Sequence, residues 1–321
     1  MSQVKLFVTR KLPDPVEARI AREFDATLQL EGPVLSADAI IQGAKGYDAL
    51  LVAPGDPITA DVIAALKDSV RVISTFSVGF DHVDLAAAKA ANIPVGHTPD
   101  VLSDATADLT WLLLLAAARR AHEGEQMVRA DAWTGWTPTQ LMGTQVSGKR
   151  IAILGMGRIG QGVAKRARGF DMAVHYHNRS RLSADKEQGA TYHDSAESLF
   201  AVADFLCLQC PLTPETQGLV NADTIERLPQ GAIIINTGRG PVVDDAALIE
   251  ALKSGRVAAA GLDVYAGEPA IHPGYRALDN VFLLPHLGSA TNETRLAMGN
   301  LAVDNIQAVL AGGRAVREIS A

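Results

Sequence analysis

The chain has 321 residues, which exceeds the usual size of a domain with a single hydrophobic core, so we expect two domains. Its composition, 48% hydrophobic and 20% charged, is typical of folded globular proteins and argues against disorder. The net charge of −7 is not offset by any run of basic residues, which argues against a nucleic-acid partner.

The longest apolar run, residues 111–118, has eight residues, whereas a membrane span needs about 18. It therefore predicts a buried helix and no membrane partner. The first residues enter a strand-like run without the charged head and apolar middle of a signal peptide, which predicts a cytoplasmic location.

The first third of the chain alternates short apolar runs with helical stretches. Strands are predicted at 4–8, 49–53, 70–75 and 93–95, with helices at 15–24, 60–66 and 85–91. This alternation indicates a parallel sheet covered on both faces. One long helix is predicted from 104 to about 130, with Ser103 as its N-cap.

A second alternating series follows, with strands predicted at 151–154, 173–176, 205–208, 232–236, 259–264 and 282–284. Six strands are the number expected of a dinucleotide-binding domain. A last helix is predicted at 293–310, ended by Gly312 and Gly313. The helices at 104–130 and 293–310 could carry the chain between two domains, which would make the second domain an insertion.

The segment GMGRIG at 155–160 follows a strand and precedes a helical pattern at 163–169. Gly155, Gly157 and Gly160 permit a tight turn, close approach of the backbone to a pyrophosphate, and close helix packing. The alternative is a glycine-rich turn without a ligand. The strand and helix around the motif favour dinucleotide binding.

The end of the next strand indicates which dinucleotide binds. Asn178 lies 178 − 157 = 21 residues after the middle glycine, where an NAD enzyme usually carries an acid for the ribose hydroxyl. Arg179 and Arg181, which flank Ser180, could pair with a 2′-phosphate. The sequence therefore favours NADP(H), with NAD(H) possible. The alternative is that both arginines are solvated loop residues.

Two other pairs of residues are interpreted as structural. Cys207 and Cys210 have C-x-x-C spacing, but in a strand they point to opposite faces, too far apart for a disulfide. His175 and His177 share a strand face, yet no third ligand is in view, so no metal is expected.

Three polar residues each follow a strand of the second series: Arg239, Glu268 and His286. In an open parallel sheet ligands bind outside the carboxyl ends of the strands, so all three should converge on a bound nicotinamide. Reducing a ketone requires a proton, for which His286 is the candidate donor. Glu268 would orient its imidazole, and Arg239 would hold a substrate carboxylate and polarise the carbonyl.

Each residue alone has a structural explanation: packing beside a proline for His286, a turn for Glu268 and a loop charge for Arg239. Their joint placement favours the catalytic hypothesis. His272 is a rival base, but it lies in a loop-like segment.

Motifs across nearly the whole chain resemble the D-isomer-specific 2-hydroxyacid dehydrogenase family, most closely its glyoxylate and hydroxypyruvate reductases. The matching segments are SVGFDHVD (77–84), TPDVLSDATADL (98–109), LGMGRIG (154–160), CPLTPET (210–216), NTGRG (236–240), GLDV (261–264), GEP (267–269) and PHLGSAT (285–291).

The resemblance implies an α/β fold of two doubly wound parallel-sheet domains, a Rossmann cofactor domain inserted into a flavodoxin-like substrate domain. Residues 1–100 and 291–321 would form the substrate domain, and residues 101–290 the cofactor domain. Val78 and Gly79 would bind the substrate carboxylate through their N–H groups, with Ser289 supporting the substrate end.

The resemblance also implies which residues line the cofactor groove. Besides the glycine motif and the segment 178–181, they are Met156, Arg158, Ile159, Thr106, Cys210, Pro211, Thr216, Thr237, Gly238, Arg239, Asp263, His286 and Gly288. Family members are usually homodimers, which fits the apolar stretch from Trp111 through Trp136.

Asp100 and Phe80 depart from the family's commonest residues, glycine and tyrosine, and leave the substrate preference open. Phosphoglycerate dehydrogenase is an alternative within the class. Formate dehydrogenase fits less well, because the resemblance implies a Gln/His pair in that enzyme where this chain has Glu268 and His286. A nucleotide-sensing corepressor with this fold is an alternative of a different class.

Overall fold

A computed structural model describes residues 3–29 and 32–319. The chain forms two compact units, one made of Met1–Leu102 with Ser289–Ala321 and the other of Ser103–Gly288. None of the described helices is both long and apolar enough to cross a membrane.

The first unit contains a five-stranded parallel sheet in the order β2-β1-β3-β4-β5. Its strands are β1 (Lys5–Val8), β2 (Asp25–Leu28), β3 (Ala49–Val52), β4 (Val72–Thr75) and β5 (Val95–Gly96). Its helices are α1 (Asp14–Glu23), α2 (Ala37–Ala44), α3 (Ala60–Leu66), α4 (Leu85–Ala90) and the C-terminal α12 (Asn292–Leu310). The strand order is the flavodoxin-like one.

The second unit contains a seven-stranded parallel sheet in the order β12-β11-β10-β9-β6-β7-β8. Its strands are β6 (Arg150–Leu154), β7 (Ala173–His177), β8 (Thr191–Tyr192), β9 (Phe205–Leu208), β10 (Ala232–Asn236), β11 (Val257–Leu262) and β12 (Val281–Leu283). Its helices are α5 (Ser103–Ala118), α6 (Ala121–Arg129), α7 (Arg158–Arg168), α8 (Ala184–Glu187), α9 (Ala196–Phe200), α10 (Ala222–Ile225) and α11 (Asp245–Lys253). The order is that of a Rossmann sheet with one added strand, and the predicted α/β class of both units is confirmed.

Apolar side chains cover both faces of the second sheet, as expected when helices lie on each side. Cys207 belongs to one of the two cores and Cys210 to the other, which agrees with their predicted opposite directions. Both are buried free thiols.

The prediction of a single helix from 104 to about 130 was wrong. The chain forms α5 and α6, and between them Arg120 adopts a left-handed conformation with φ 54°. The carbonyl of Ala118, the last residue of α5, accepts a hydrogen bond from the N–H of Thr144 at 2.8 Å. The loop that contains Thr144 thereby supplies a donor for a carbonyl at the end of the helix. Ser103 is the first residue of α5 and not its N-cap.

The strands β2 and β8 and the helix α2 have no counterpart in the prediction. The two strands are short, half-exposed edges of their sheets, where little apolar surface is buried and the sequence pattern is weak.

Asn305 attaches α12 to the first sheet. Its side chain is fully buried; its amide donates to the carbonyl of His97 at 2.9 Å, and its carbonyl accepts from the N–H of Arg317 at 2.8 Å. It thereby satisfies backbone groups next to β5 and in the C-terminal segment, so the last part of the chain becomes part of the first unit's core.

We expect Asn305→Ala to lower the free energy of unfolding by about 1–3 kcal/mol, because two partly buried backbone groups lose their partners. Urea denaturation followed by circular dichroism measures this. Asn292→Ala, at an exposed position on the same helix, is the matched control and should change stability by less than about 0.5 kcal/mol. Equal effects of the two substitutions would contradict this role for Asn305.

Candidate active site

The structure brings Glu268 and His286 together at the carboxyl end of the second sheet. His286 lies just beyond β12 and Glu268 in the loop after β11, and His286 Nδ1 is 2.7 Å from Glu268 Oε2. The other carboxylate oxygen accepts the N–H of Tyr265 at 2.7 Å. Both side chains remain partly exposed, so the second imidazole nitrogen can reach a ligand.

Opposing influences act on the Glu268 carboxyl. Burial raises its pKa, but the hydrogen bond and charge of His286, the N–H of Tyr265 and the charge of Arg239 together hold the pKa below its ordinary value. Glu268 is therefore ionised at neutral pH. A carboxylate bonded to Nδ1 sets the orientation of the neighbouring imidazole.

Asp263 holds the turn that carries His286. Its backbone carbonyl accepts the N–H of His286 at 2.9 Å, while its buried carboxylate accepts the N–H groups of Leu287 at 2.6 Å and Gly288 at 2.8 Å. Burial raises the pKa of Asp263 above its ordinary value, although these bonds and the charge of His286 oppose the shift. His286 itself has a φ of 57°, a conformation that non-glycine residues adopt only when their surroundings impose it.

Arg239 follows β10 in a loop that its own neighbours organise. The Asn236 amide donates to the Arg239 carbonyl at 3.1 Å, and the Asn236 side-chain oxygen accepts the N–H of Gly238 at 3.0 Å. Arg239 Nη1 donates to the Gly238 carbonyl at 2.9 Å. The guanidinium is half-buried and lies close enough to Glu268 to influence its pKa.

The glycine motif forms a strand–turn–helix between β6 and α7. Gly155 has a φ of 96°, and a side chain there would collide with the backbone of Cys210 at 2.6 Å. Gly160 packs against the Gly155 carbonyl, whereas a Cβ at Gly157 would meet nothing within 4 Å. The N-terminus of α7 is exposed at Gly157 and Arg158, and the open space beside Gly157 at this positive end of the helix fits a pyrophosphate.

The segment after β7 lies beside this turn. Asn178 Oδ1 accepts the N–H of Met156 at 2.7 Å, so Asn178 supports the phosphate loop. Arg179 is exposed, and its charge helps to lower the pKa of Glu215, after the larger effect of a hydrogen bond with Thr213.

Arg181 has a partner that the sequence did not indicate. Its guanidinium binds the Glu187 carboxylate at 2.8 and 3.1 Å and lies over the ring of Tyr192. Of the two arginines, Arg179 is therefore less committed to protein contacts.

The other predicted groove residues of this unit form small groups at the carboxyl ends of the strands. Thr106 Oγ1 donates to the Gly288 carbonyl at 3.1 Å, and Thr216 Oγ1 donates to the Pro211 carbonyl at 2.7 Å. Ile159, the remaining residue of the glycine loop, is half-buried on the first turn of α7. Ser180 is exposed between the two arginines.

Sequence reasoning missed a polar network beneath Thr237. Gln209 Nε2 donates to Thr237 Oγ1 at 2.6 Å and to Thr110 Oγ1 at 3.1 Å, and the two threonine hydroxyls are 2.8 Å apart. Gln209 directly follows β9, just as Asn178 directly follows β7. The signal that could have found it is this position at a strand's carboxyl end.

Val78, Gly79 and Ser289 belong to the first unit. Val78 and Gly79 follow β4; the Val78 carbonyl is bound by His97 Nδ1 at 2.9 Å and the Gly79 carbonyl by Ser77 Oγ at 2.6 Å. Among residues 3–29 and 32–319, no hydrogen bond involves the N–H groups of Val78 and Gly79. These N–H groups can therefore bind an anion.

The other histidines do not join the pair. His272 accepts the N–H of Gly274 at 3.1 Å and caps a short helix at 273–277, so the structure gives it a local role. His175 Nδ1 is 3.0 Å from His193 Nε2. In the described part of the chain, no cluster of three or more His, Cys, Asp or Glu residues could hold a metal ion.

Comparison with known proteins gives the family. Residues 111–288 match the family described as "D-isomer specific 2-hydroxyacid dehydrogenase, NAD binding domain". The chain belongs to this dehydrogenase family.

Similar members of the D-isomer specific 2-hydroxyacid dehydrogenase family act on small acids. The chain is 45% identical over 314 residues to the glycerate dehydrogenase of Hyphomicrobium methylovorum, covering 97% of this chain and 98% of that one. It is 40% identical to the glyoxylate reductase of Thermococcus kodakarensis, covering 94% and 92%. An NADPH-dependent glyoxylate/hydroxypyruvate reductase from Sinorhizobium meliloti, solved with NADP and malonate, superimposes with a TM-score of 0.89 at 33% identity, covering 99% and 97%.

The two departures from the common residues of the dehydrogenase family lie in the first unit. Asp100 has a φ of 74° and pairs with Arg317 at 3.1 Å, while the half-exposed ring of Phe80 packs edge-on against His97. His97 also binds the Val78 carbonyl. Phe80 therefore lies next to the N–H groups that the resemblance assigns to the substrate carboxylate.

Proposed function

We propose that the protein reduces glyoxylate and hydroxypyruvate to the 2-hydroxy acids, with NADPH favoured over NADH. The carrying observation is the 2.7 Å hydrogen bond between Glu268 and His286 at the carboxyl end of the Rossmann sheet. A dehydrogenase of this class needs a proton donor there, because hydride addition leaves negative charge on the substrate oxygen. The names of the similar proteins support these substrates.

The proposed roles follow from the contacts. A bound reduced nicotinamide would supply the hydride. His286 donates a proton from Nε2 to the former carbonyl oxygen, while Glu268, bonded to Nδ1, stabilises the imidazolium and fixes its orientation. Arg239 binds the substrate and polarises its carbonyl through charge-assisted hydrogen bonds.

The substrate carboxylate binds the N–H groups of Val78 and Gly79, and Ser289 supports that end of the substrate. Two adjacent N–H donors suit a carboxylate, because each oxygen can accept one of them. The binding of their carbonyls by Ser77 and His97 fixes the direction of these peptide groups.

The first test follows the loss of reduced-nicotinamide absorbance with purified protein. Glyoxylate, hydroxypyruvate, pyruvate and 3-phosphohydroxypyruvate are each offered with NADPH and with NADH. We expect the fastest turnover with glyoxylate or hydroxypyruvate, and a drop of about 10²–10⁴-fold in His286→Asn because the proton donor is lost.

Glu268→Gln should lower kcat about 10- to 1000-fold and move the alkaline limb of the kcat/KM profile to lower pH. In the parent protein the lowered pKa of Glu268 keeps this carboxylate charged, so its contribution to kcat disappears only as the pH falls through that lowered value.

Cofactor binding without turnover on any acid would indicate a nucleotide-sensing protein instead. Fastest turnover on the phosphorylated acid would indicate a phosphoglycerate dehydrogenase.

We propose that the preference for NADPH depends on Arg179. Asn178 contributes because its side chain is neutral and does not repel a 2′-phosphate. Arg179→Ala should weaken NADPH binding about 10- to 100-fold and leave NADH within twofold, because a charge-assisted hydrogen bond to a 2′-phosphate contributes about 1.5–3 kcal/mol. Arg181→Ala should weaken NADPH less, since Glu187 already binds that guanidinium. Fluorescence titration with both cofactors measures these losses.

Asn178→Asp is the reverse experiment. An aspartate can still accept the N–H of Met156, so the loop of the glycine motif is retained. Its negative charge repels a 2′-phosphate, and its carboxylate can accept a hydrogen bond from the ribose hydroxyl of NADH. The preference should shift towards NADH. Equal losses of both cofactors in Arg179→Ala would refute the assignment.

We also propose a homodimer formed through the second unit. Of the nine large hydrophobic side chains exposed in the described residues, five lie between 112 and 142: Leu112, Val128, Trp133, Trp136 and Met142. Trp111 does not contribute, because it is buried and stacked on Phe170. Exposed apolar residues concentrated in this way are typical of protein interfaces.

Light scattering should give the mass of a dimer for the parent protein and of a monomer for Trp136→Asp, because a charge cannot be buried without a partner. Val34→Asp, an exposed hydrophobic residue of the first unit, is the control and should remain dimeric. A monomeric parent protein at micromolar concentration would contradict the proposal.

A further inference from the structure

We propose that Tyr265 is a positioning residue that holds Glu268 and His286 in their hydrogen-bonding geometry. The inference rests on the catalytic roles proposed above for these two residues. Tyr265 is buried in the second unit, 7% exposed, and contacts the segments that carry both of them.

The contact to Glu268 is made by the backbone. Tyr265 N–H donates to Glu268 Oε1 at 2.7 Å, and the other oxygen of the same carboxylate binds His286 Nδ1. Each oxygen of the Glu268 carboxylate therefore has its own hydrogen-bond partner, which restricts rotation of the side chain.

The contact to the His286 segment is made by the phenol. The Tyr265 hydroxyl lies 2.8 Å from the Leu284 carbonyl and 2.9 Å from the Leu262 carbonyl, and its one proton can be shared between them. The Leu262 carbonyl also accepts the N–H of Leu284 at 2.8 Å, the last bond of the β11–β12 ladder.

The phenol thereby extends the sheet beyond its last strand pair. In a regular parallel ladder the Leu284 carbonyl would accept from the N–H of Val264, two residues after Leu262. The Tyr265 hydroxyl donates to that carbonyl instead, and two residues later the N–H of His286 bonds to the Asp263 carbonyl. The phenol therefore fixes the chain immediately before the left-handed conformation of His286.

Such a conformation persists only where neighbouring contacts hold it. Asp263 holds the turn from the C-terminal side through Leu287 and Gly288, and Tyr265 holds it from the N-terminal side through Leu284. Without the phenol proton, the Leu284 carbonyl loses its donor and the segment 284–286 can shift relative to Glu268.

The test is Tyr265→Phe, which removes the hydroxyl and retains the ring and the N–H to Glu268. We expect kcat for keto-acid reduction to fall about 5- to 30-fold, the fold-change that corresponds to one lost hydrogen bond, with the cofactor Kd and the substrate KM within twofold. The alkaline limb of the kcat/KM profile should move to lower pH, because the imidazolium is held less firmly against the Glu268 carboxylate.

Tyr275→Phe is the matched control. Tyr275 is also buried in the same core, its ring centroid lies 6.4 Å from that of Tyr265, and its hydroxyl donates to Asp245 on α11 at 2.8 Å. It should lose comparable stability without a change in kcat or in the pH profile. A purely structural role for Tyr265 predicts that the two variants behave alike, and that result would overturn the proposal.

A spectroscopic measurement gives a second readout. In protein labelled with ¹⁵N-histidine, the Nδ1 proton of His286, assigned by its loss in His286→Asn, should move upfield in Tyr265→Phe and stay in place in Tyr275→Phe. An unchanged signal would also overturn the proposal. If Glu268→Gln and His286→Asn turn over like the parent protein, the proposed catalytic roles fail first; if only Tyr265→Phe is silent, the positioning role alone fails.

Discussion

The candidate site depends on the hydrogen bonds that Asp263 accepts from the turn carrying His286. Asp263 follows β11 directly, and its backbone and side chain together accept the N–H groups of three successive residues from His286 to Gly288. A turn that leaves a short strand in a left-handed conformation leaves several donors unpaired. Asp263 satisfies three of them and so holds the backbone of the turn that carries the imidazole.

Opposing influences act on the carboxyl of Asp263, and burial raises its pKa above the ordinary value. Two backbone donors and the neighbouring His286 compensate part of the cost of burying the carboxylate. Glu268 shows the opposite balance, because hydrogen bonds and nearby positive charges outweigh burial and lower its pKa. The two acids therefore serve different purposes, one structural and the other, as proposed, electrostatic support for a proton donor.

The cofactor half of the site is built on the same principle, in which residues just beyond a strand hold neighbouring loops. Asn178 follows β7 and binds the loop of the glycine motif, while Gln209 follows β9 and connects Thr110 with Thr237. Parallel strands bring all these positions to one edge of the sheet. Polar side chains at this edge bind the neighbouring loops and hold them in place.

Much of this could be predicted from sequence, because the pattern is local. Alternating apolar runs indicated two parallel sheets, the glycine motif indicated its own strand–turn–helix, and Arg239, Glu268 and His286 were singled out as candidates because each follows a strand. Elements with little apolar burial, β2 and β8, left too weak a pattern, and the break between α5 and α6 depends on a hydrogen bond from Thr144, 26 residues after Ala118 (144 − 118). The pairing of Arg181 with Glu187 and the bond from Tyr265 to Leu284 were likewise decided by the tertiary structure. Side-chain hydrogen bonds depend on which loops meet in space, and spacing along the chain does not specify that.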